Sequence, residues 1–118
     1  MRINQTIPVL PSADFERTRR FYAMMGFRTL NIYPDYLLLE RDGQEIHFFL
    51  EEGDPAHGHG HSHFSAYIRA AGLDELFTSI QNAGLAVQPP SARPWGLIEM
   101  EIIDPDGSLL RFGEALVE

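Results

Sequence analysis

The chain has 118 residues, no cysteine, and a formal net charge of −8 with an isoelectric point near 5.0. Hydrophobic residues make up 44% of it, which is enough for one packed core and excludes an intrinsically disordered chain. The acidic balance disfavours a nucleic-acid partner, and the lack of cysteine excludes disulfides, thiolate catalysis and cysteine-based zinc sites.

No apolar run approaches the roughly 18 residues that a membrane-spanning helix needs, and the amino terminus lacks the hydrophobic segment of a signal peptide. We therefore expect a cytoplasmic protein of one domain with no membrane partner. The surplus of carboxylates also suits a cationic ligand, since a net charge of one sign attracts the other.

The first half of the chain predicts the element order βαβββ. Strands are expected at residues 4–10, 27–33, 36–40 and 45–50, with a helix over about 15–25. Within the helix, apolar or small side chains recur every three or four positions, which predicts one buried stripe: Phe15, Thr18, Tyr22 and Met25. Ser12 or Asp14 is the expected N-cap, and Gly26 the expected stop.

The second half repeats this order. Strands are expected at residues 63–69, 85–88, 97–103 and 108–112, and a helix with an apolar stripe from Leu73 ends before Gly84. The last two strands are joined by a tight turn, because Pro105 presets one backbone angle and Gly107 tolerates a positive φ. Two strands joined so closely pair antiparallel.

A shift of 58 residues places Phe15 on Leu73 and Gly26 on Gly84, so the two halves match as patterns of elements. We divide the chain into module one at about 1–52, a loop at 53–62, and module two at about 63–118. Each module is too small to bury its own sheet, so two modules must share a core, within one chain or between chains.

Several short segments, in order and nearly end to end, resemble the vicinal-oxygen-chelate superfamily, and within it the bleomycin-resistance branch most closely. They are IPVLPSADF at 7–15, FY at 21–22, GF at 26–27, IHFF at 46–49, HFS at 63–65, IR at 68–69, PWG at 94–96 and DPDGSLLRF at 104–112. The resemblance implies an α+β fold of two βαβββ modules with concave mixed sheets. It also implies a homodimer, in some cases with strands exchanged, whose ligand crevices lie at the dimer interface.

Members of this superfamily use the crevice in two ways. Resistance proteins hold a drug there without chemistry, whereas enzymes such as glyoxalase I hold a divalent metal on four strand positions. The fourth ligand is usually a glutamate, and the matching residue here is Arg111, whose guanidinium has no lone pair to donate. The other positions offer Gln5 or Ile7, depending on register, and then His47 and His63, so Gln5, His47 and His63 are weak metal candidates. We expect no metal cofactor.

The loop carries four histidines at alternate positions: His57, His59, His61 and His63. Such spacing can wrap nickel, copper or zinc. Nothing in the sequence preorganises the loop, so we expect adventitious metal binding there.

Trp95 lies between Pro94 and Gly96, which places it in a loop rather than in a core strand. We expect its indole to form a platform at the mouth of the crevice, on which a flat heteroaromatic ring of the ligand stacks. Alternation puts His47 and Phe49 on one strand face, opposite Phe48. Glu99 is expected to meet a cationic group or to pair with Arg111. The predicted ligand-binding set is Asp35, Tyr36, His47, Phe49, His63, Ser65, Trp95, Glu99 and Arg111.

The resulting hypothesis is a homodimeric protein that sequesters a bleomycin-type glycopeptide, or a related cationic molecule with a planar aromatic part, without catalysis. The alternative is a metal-dependent enzyme of the superfamily, either a glyoxalase-like lyase or an antibiotic-modifying thiol transferase. A third possibility is the same dimeric fold with a different small ligand.

Overall fold

Residues 1–56 and 63–116 are described by the computed structural model of the chain, so the predicted loop metal ligands His57, His59 and His61 lie outside the described part. Within it, the chain forms two helices and eight strands. They are β1 Val9–Ser12, α1 Phe15–Ala23, β2 Arg28–Ile32, β3 Tyr36–Arg41, β4 Gln44–Leu50, β5 Ser65–Arg69, α2 Leu73–Asn82, β6 Ser91–Ala92, β7 Leu97–Ile103 and β8 Leu109–Ala115.

The predicted α+β fold with duplicated modules is confirmed. The strands form two four-stranded sheets of equivalent order, β1-β4-β3-β2 and β5-β8-β7-β6. In each sheet the first strand of the module runs parallel to the last, and the remaining neighbours are antiparallel, so both sheets are mixed. Neither described helix has the length and apolar character needed to cross a bilayer.

Two predicted strands are wrong in position. The first strand begins at Val9 rather than at residue 4, because residues 4–7 pair with no strand in the described part, and Ile3 is 73% exposed. Residues 85–88 form no strand, and β6 instead pairs with β7 through Ser91 and Ala92. In this segment Leu85 and Val87 pack against the core although no strand forms.

Of the two residues predicted as the N-cap of α1, the structure shows one in that role. The Asp14 carboxylate accepts hydrogen bonds from the backbone N–H groups of Glu16 and Arg17, and is therefore the N-cap. Ser12 instead shares a buried hydrogen bond of 2.6 Å with the Thr18 hydroxyl. The chain leaves the helix through Gly26, whose φ of 84° suits glycine.

One hydrophobic core is built by both modules. It receives the inner faces of the two sheets and the apolar stripes of the two helices: Leu10, Tyr22, Met25, Leu37, Leu39, Ile46, Phe48, Leu73, Ile80, Met100, Ile102, Leu110 and Phe112. The predicted sharing of a core is therefore satisfied within one chain. Side chains on the other face of each sheet point away from this core.

A polar contact, here called the inter-module latch, joins α1 to the turn between β7 and β8. Its members are Tyr22, Asp104, Asp106 and Arg17. The buried Tyr22 hydroxyl donates to Asp104 Oδ2 at 2.7 Å, while Asp104 Oδ1 accepts from the backbone N–H groups of Asp106 and Ser108. Burial raises the pKa of the Asp104 carboxyl, although these hydrogen bonds oppose the shift.

The second carboxylate of the latch reaches across to the start of α1. Asp106 is 2% exposed, and its Oδ1 accepts from the backbone N–H of Ala13 at 3.2 Å and from Arg17 Nη2 at 2.5 Å. Both carboxylates of the turn are thus satisfied by donors from their own turn and from module one. The latch consequently fixes how the modules meet.

The helix α2 lacks a capping side chain of its own, because its N-cap is Gly72. Glu114 of β8 supplies the missing acceptor: its carboxylate accepts hydrogen bonds from the backbone N–H groups of Leu73 at 3.0 Å and Gly72 at 3.1 Å. These hydrogen bonds, that from Leu73 foremost, lower the pKa of the Glu114 carboxyl. A residue 41 positions away from Leu73 therefore caps the helix.

We predict that Tyr22→Phe lowers the free energy of unfolding by about 1.5–3 kcal/mol, because it deletes a hydrogen bond to a buried carboxylate. Urea unfolding measures this. The matched control is Tyr33→Phe, which removes an exposed hydroxyl and should change stability by less than about 0.5 kcal/mol. Equal effects of the two variants would contradict the latch.

We also predict that Glu114→Gln lowers the melting temperature at pH 7, and that the difference from the wild type shrinks in acid. The pKa of the Glu114 carboxyl is lower in the folded protein than in the unfolded chain, where a glutamate has a pKa of about 4.3. Its hydrogen bonds to α2 therefore stabilise the fold at pH values above the unfolded pKa. This stabilisation is lost as the pH falls through the folded pKa. Thermal unfolding between pH 7 and pH 3 measures the gap. Glu52→Gln, in an exposed loop, is the charge-matched control, and a gap that stays constant with pH would argue against capping by Glu114.

Candidate functional site

Each sheet presents a second face, here called its open face, on the side away from the core. On the first sheet it carries Val9, Tyr36, Leu38, Glu45, His47 and Phe49, and on the second sheet Ser65, Tyr67, Glu99, Glu101, Ile103, Leu109 and Arg111. Several of these are large and exposed, such as Tyr67 at 47% and Ile103 at 50%. Most of the predicted ligand-binding residues lie on the two open faces.

On the first open face, His47 lies between two partners. Its Nδ1 is 3.0 Å from the Tyr36 hydroxyl, and its Nε2 is 2.7 Å from Glu45 Oε1. The Tyr36 and His47 rings also meet edge to face at 5.3 Å. This Glu45–His47–Tyr36 chain fixes the tyrosine ring as a half-buried wall of the open face.

The predicted alternation along β4 is confirmed. Phe48 is fully buried in the core, whereas His47 and Phe49 lie on the open face. The Phe49 ring contacts Phe64 with ring centres 5.7 Å apart. Because Phe64 immediately precedes β5, the contact between Phe49 and Phe64 joins apolar side chains of module one and module two.

On the second open face, Trp95 and Glu99 are linked. Trp95 is 63% exposed, and its indole Nε1–H donates to Glu99 Oε2 at 3.0 Å. The Tyr67 hydroxyl donates to the same oxygen at 2.7 Å, and Arg93 Nε lies 3.6 Å from Glu99 Oε1. A carboxylate that is 3% exposed therefore supports an aromatic ring that is mostly exposed.

The electrostatics of this group follow from its hydrogen bonds. Those from Trp95 and Tyr67 lower the pKa of the Glu99 carboxyl, and Arg111 and Arg93 add to the effect. The same bond to Glu99, with burial, raises the pKa of the Tyr67 hydroxyl. At neutral pH the pair is an ionised carboxylate and a neutral phenol.

Arg111 does not pair as predicted. Its Nε and Nη2 both approach Glu101 Oε2, at 3.0 and 2.7 Å, and form an ion pair with Glu101 rather than with Glu99. The register explains the difference, since Glu101 lies directly opposite Arg111, whereas Glu99 lies opposite Gly113.

The remaining candidates are more scattered. Asp35 lies in the exposed turn before β3, Ser65 is exposed at the start of β5, and His63 is exposed just before it. Gln5 is exposed and precedes the first strand. Across residues 1–56 and 63–116, no hydrogen bond joins any of these four side chains to another predicted site residue.

The metal site of the superfamily's enzymes does not fit these residues. Both ring nitrogens of His47 already face hydrogen-bonding partners, and Arg111 places a cation at the fourth strand position. Among the described residues, no group of three or more histidine, aspartate and glutamate side chains could hold a metal ion.

Two of the concave regions on the described surface bear on the location of the site. The smaller, of about 440 Å³, adjoins the second open face and is lined by Glu99, Arg93, Glu101 and Ile103, among others. The larger, of about 720 Å³, lies between the modules beside Gly26 and Gly72 and contains none of the predicted site residues. The open faces therefore remain the candidate binding surface.

Sequence reasoning missed two partners of the site. Glu45 was detectable, because it stands two positions before His47 on one strand and so shares its face. Tyr67 was not, because its contact with Glu99 depends on the order of β5, β8 and β7 across the sheet.

Comparison with known proteins identifies relatives over nearly the whole chain. Residues 2–112 match the model of the Glyoxalase/Bleomycin resistance protein/Dioxygenase superfamily. A bleomycin resistance protein of Klebsiella pneumoniae is 31% identical, over 92% of this chain and 90% of that protein.

Two solved structures are similar at 28% identity. A bleomycin resistance determinant encoded on transposon Tn5 aligns with a TM-score of 0.87, covering 98% of this chain and 100% of that one. A bleomycin-binding protein solved in complex with bleomycin aligns with a TM-score of 0.85, covering 97% and 100%. The mixed α+β architecture is thus that of bleomycin-binding proteins.

We predict that His47→Ala leaves metal uptake unchanged, because both nitrogens of His47 are already engaged within the fold. The test is equilibrium dialysis of tag-free protein against zinc, followed by elemental analysis. Zinc held by the histidine-rich loop would be equal in wild type and variant. Loss of one tightly held equivalent in the variant would show a metal centre at His47.

Proposed function

The chain belongs to the Glyoxalase/Bleomycin resistance protein/Dioxygenase superfamily, and from this membership and its open faces we propose that it binds and sequesters a bleomycin-type glycopeptide without altering it chemically. The relatives that support the proposal are a bleomycin resistance protein and a structure described as a complex with bleomycin. The match covers nearly the whole chain, so both modules take part in the comparison.

The observation that carries the proposal is the Trp95 indole. It is exposed on one side and anchored through its N–H on the other, which is the arrangement needed to stack a flat heteroaromatic ring. Tyr36 and Phe49 offer two further aromatic surfaces on the first open face, each held by a ring contact. Aromatic side chains bury large area at a small cost in side-chain entropy, which favours rings as ligand anchors.

The charge of the protein suits the cationic part of such a ligand. The formal net charge is −8, and Asp35 is exposed beside Tyr36 at the edge of the first open face. A cationic tail is therefore attracted at long range, and this attraction weakens as salt is added.

We further propose that the working unit is a homodimer in the cytoplasm, with two equivalent sites. The open faces expose apolar side chains that a second copy would cover. Ile3, before β1, and Val9, at its start, are exposed as well. A two-fold axis makes each crevice occur twice, so one ligand binds per chain. We propose no metal cofactor at the site, because both ring nitrogens of His47 face partners and Arg111 places a cation at the fourth strand position.

Isothermal titration calorimetry with metal-free bleomycin at micromolar protein tests the proposal. We expect a saturable heat with one ligand per chain, and protection of DNA from bleomycin cleavage by the same protein. Sedimentation in the same buffer should show a dimer. The absence of both heat and protection would refute sequestration of this class of drug.

We predict that Trp95→Ala weakens binding of bleomycin by about 30-fold, the effect of losing a central tryptophan worth about 2 kcal/mol. The matched control is Leu30→Ala, which removes an exposed apolar side chain from the edge strand β2. Its affinity should stay within about twofold of the wild type. Equal affinities of Trp95→Ala and the wild type for bleomycin would show that Trp95 does not contribute to the binding site.

A further inference from the structure

We propose that Glu99 and Tyr67 are positioning residues that hold the Trp95 indole in its binding orientation, and that Gly113 makes room for Tyr67 to do so. The inference rests on the proposed function, in which Trp95 receives the ligand. It assigns Glu99 to the support of an aromatic ring rather than to direct contact with a cation.

Trp95 needs an anchor because of where it lies. It belongs to the turn between β6 and β7, in which the Gly96 N–H donates to the Arg93 carbonyl, and the indole is 63% exposed. An exposed ring on such a turn has several accessible rotamers. The hydrogen bond from its Nε1–H to Glu99 selects one of them.

Glu99 serves as a fixed acceptor because its oxygens face donors of the protein. Oε2 accepts from both Trp95 and Tyr67, and Oε1 faces Arg93 Nε at 3.6 Å. At 3% exposure the carboxylate has little surface left for a ligand. A charged acceptor forms stronger hydrogen bonds than a neutral one, so ionised Glu99 holds the indole firmly.

Tyr67 completes the support from two strands away. Its ring crosses β8 at Gly113, where an added Cβ would overlap the Tyr67 hydroxyl and contact the ring. The residue opposite Gly113 on β7 is Glu99, so the missing side chain leaves the path from Tyr67 to Glu99 clear. The backbone angle of Gly113 is not in the left-handed region, so this glycine is required for space rather than for conformation.

Trp95 is the one tryptophan of the sequence, so its fluorescence reports on this group alone. In ligand-free protein we expect Glu99→Gln, Glu99→Ala, Tyr67→Phe and Gly113→Ala each to lower the fluorescence anisotropy and raise acrylamide quenching, with Glu99→Ala the largest change. The charge control is Glu101→Gln on the same strand and face, which should leave the fluorescence unchanged. Circular dichroism and thermal unfolding show whether each variant is folded.

The pH dependence of acrylamide quenching provides a second measurement, which a loss of packing around Trp95 would not change. The titratable or charged groups around Glu99 are Tyr67, Arg93, Arg111 and Glu101, and Arg69 of β5 lies beside Tyr67 and interacts with its hydroxyl. Hydrogen bonds from Trp95 and Tyr67 lower the pKa of the Glu99 carboxyl, so quenching in the wild type should rise only in acid, below the usual range of a glutamate. The rise should persist in Glu101→Gln but vanish in Glu99→Gln. An identical acid transition in Glu99→Gln would overturn the assignment.

Bleomycin titrations of the same variants separate this inference from the proposed function. Altered fluorescence with about tenfold weaker binding in Glu99→Gln supports both, tenfold corresponding to one charge-assisted hydrogen bond. Unchanged fluorescence in folded Glu99→Ala and Tyr67→Phe overturns positioning even if the wild type binds bleomycin. Altered fluorescence in protein that does not bind bleomycin supports positioning and overturns the proposed function.

Discussion

The hydrogen bond between Tyr22 and Asp104 is the contact on which the arrangement of the modules depends. Neither module can bury its sheet alone, and burying a carboxylate is costly unless donors surround it. Asp104 and its neighbour Asp106 obtain those donors from their own turn and from α1 of the other module. The turn between β7 and β8 therefore stabilises the chain only when the modules meet in this one way, with the core between them and the open faces outward.

The fold could be predicted from the sequence because its signals are local and repeated. The apolar stripe of α1, the glycine stops and the last hairpin all depend on neighbours within a few residues, and the structure confirms them. The misplaced strands at 4–10 and 85–88 had strand-like composition, but a strand also needs a partner, and pairing is not local. For the same reason the choice between Ser12 and Asp14 as the cap was open until the buried contact from Ser12 to Thr18 was seen.

The site was predictable as a set of faces but not as a set of contacts. Alternation placed His47 and Phe49 on one strand face, opposite Phe48, and the turn residues around Trp95 placed it in a loop outside the core, as in the structure. Which side chains touch is decided by cross-strand register, which pairs Arg111 with Glu101 and leaves Glu99 opposite Gly113. A glycine that serves only to make room, as Gly113 does for Tyr67, carries no signal in its own neighbourhood of the sequence.

In the proposed function the ligand meets the fold at Trp95, because the latch fixes the sheets and the second sheet fixes the indole. The most direct measurement is the NMR signal of its indole N–H, the single such proton in the sequence, during titration with metal-free bleomycin. We expect a shift that saturates at one ligand per chain. A signal that stays in place while calorimetry shows binding would contradict it, and would place the ligand away from the open face of the second sheet.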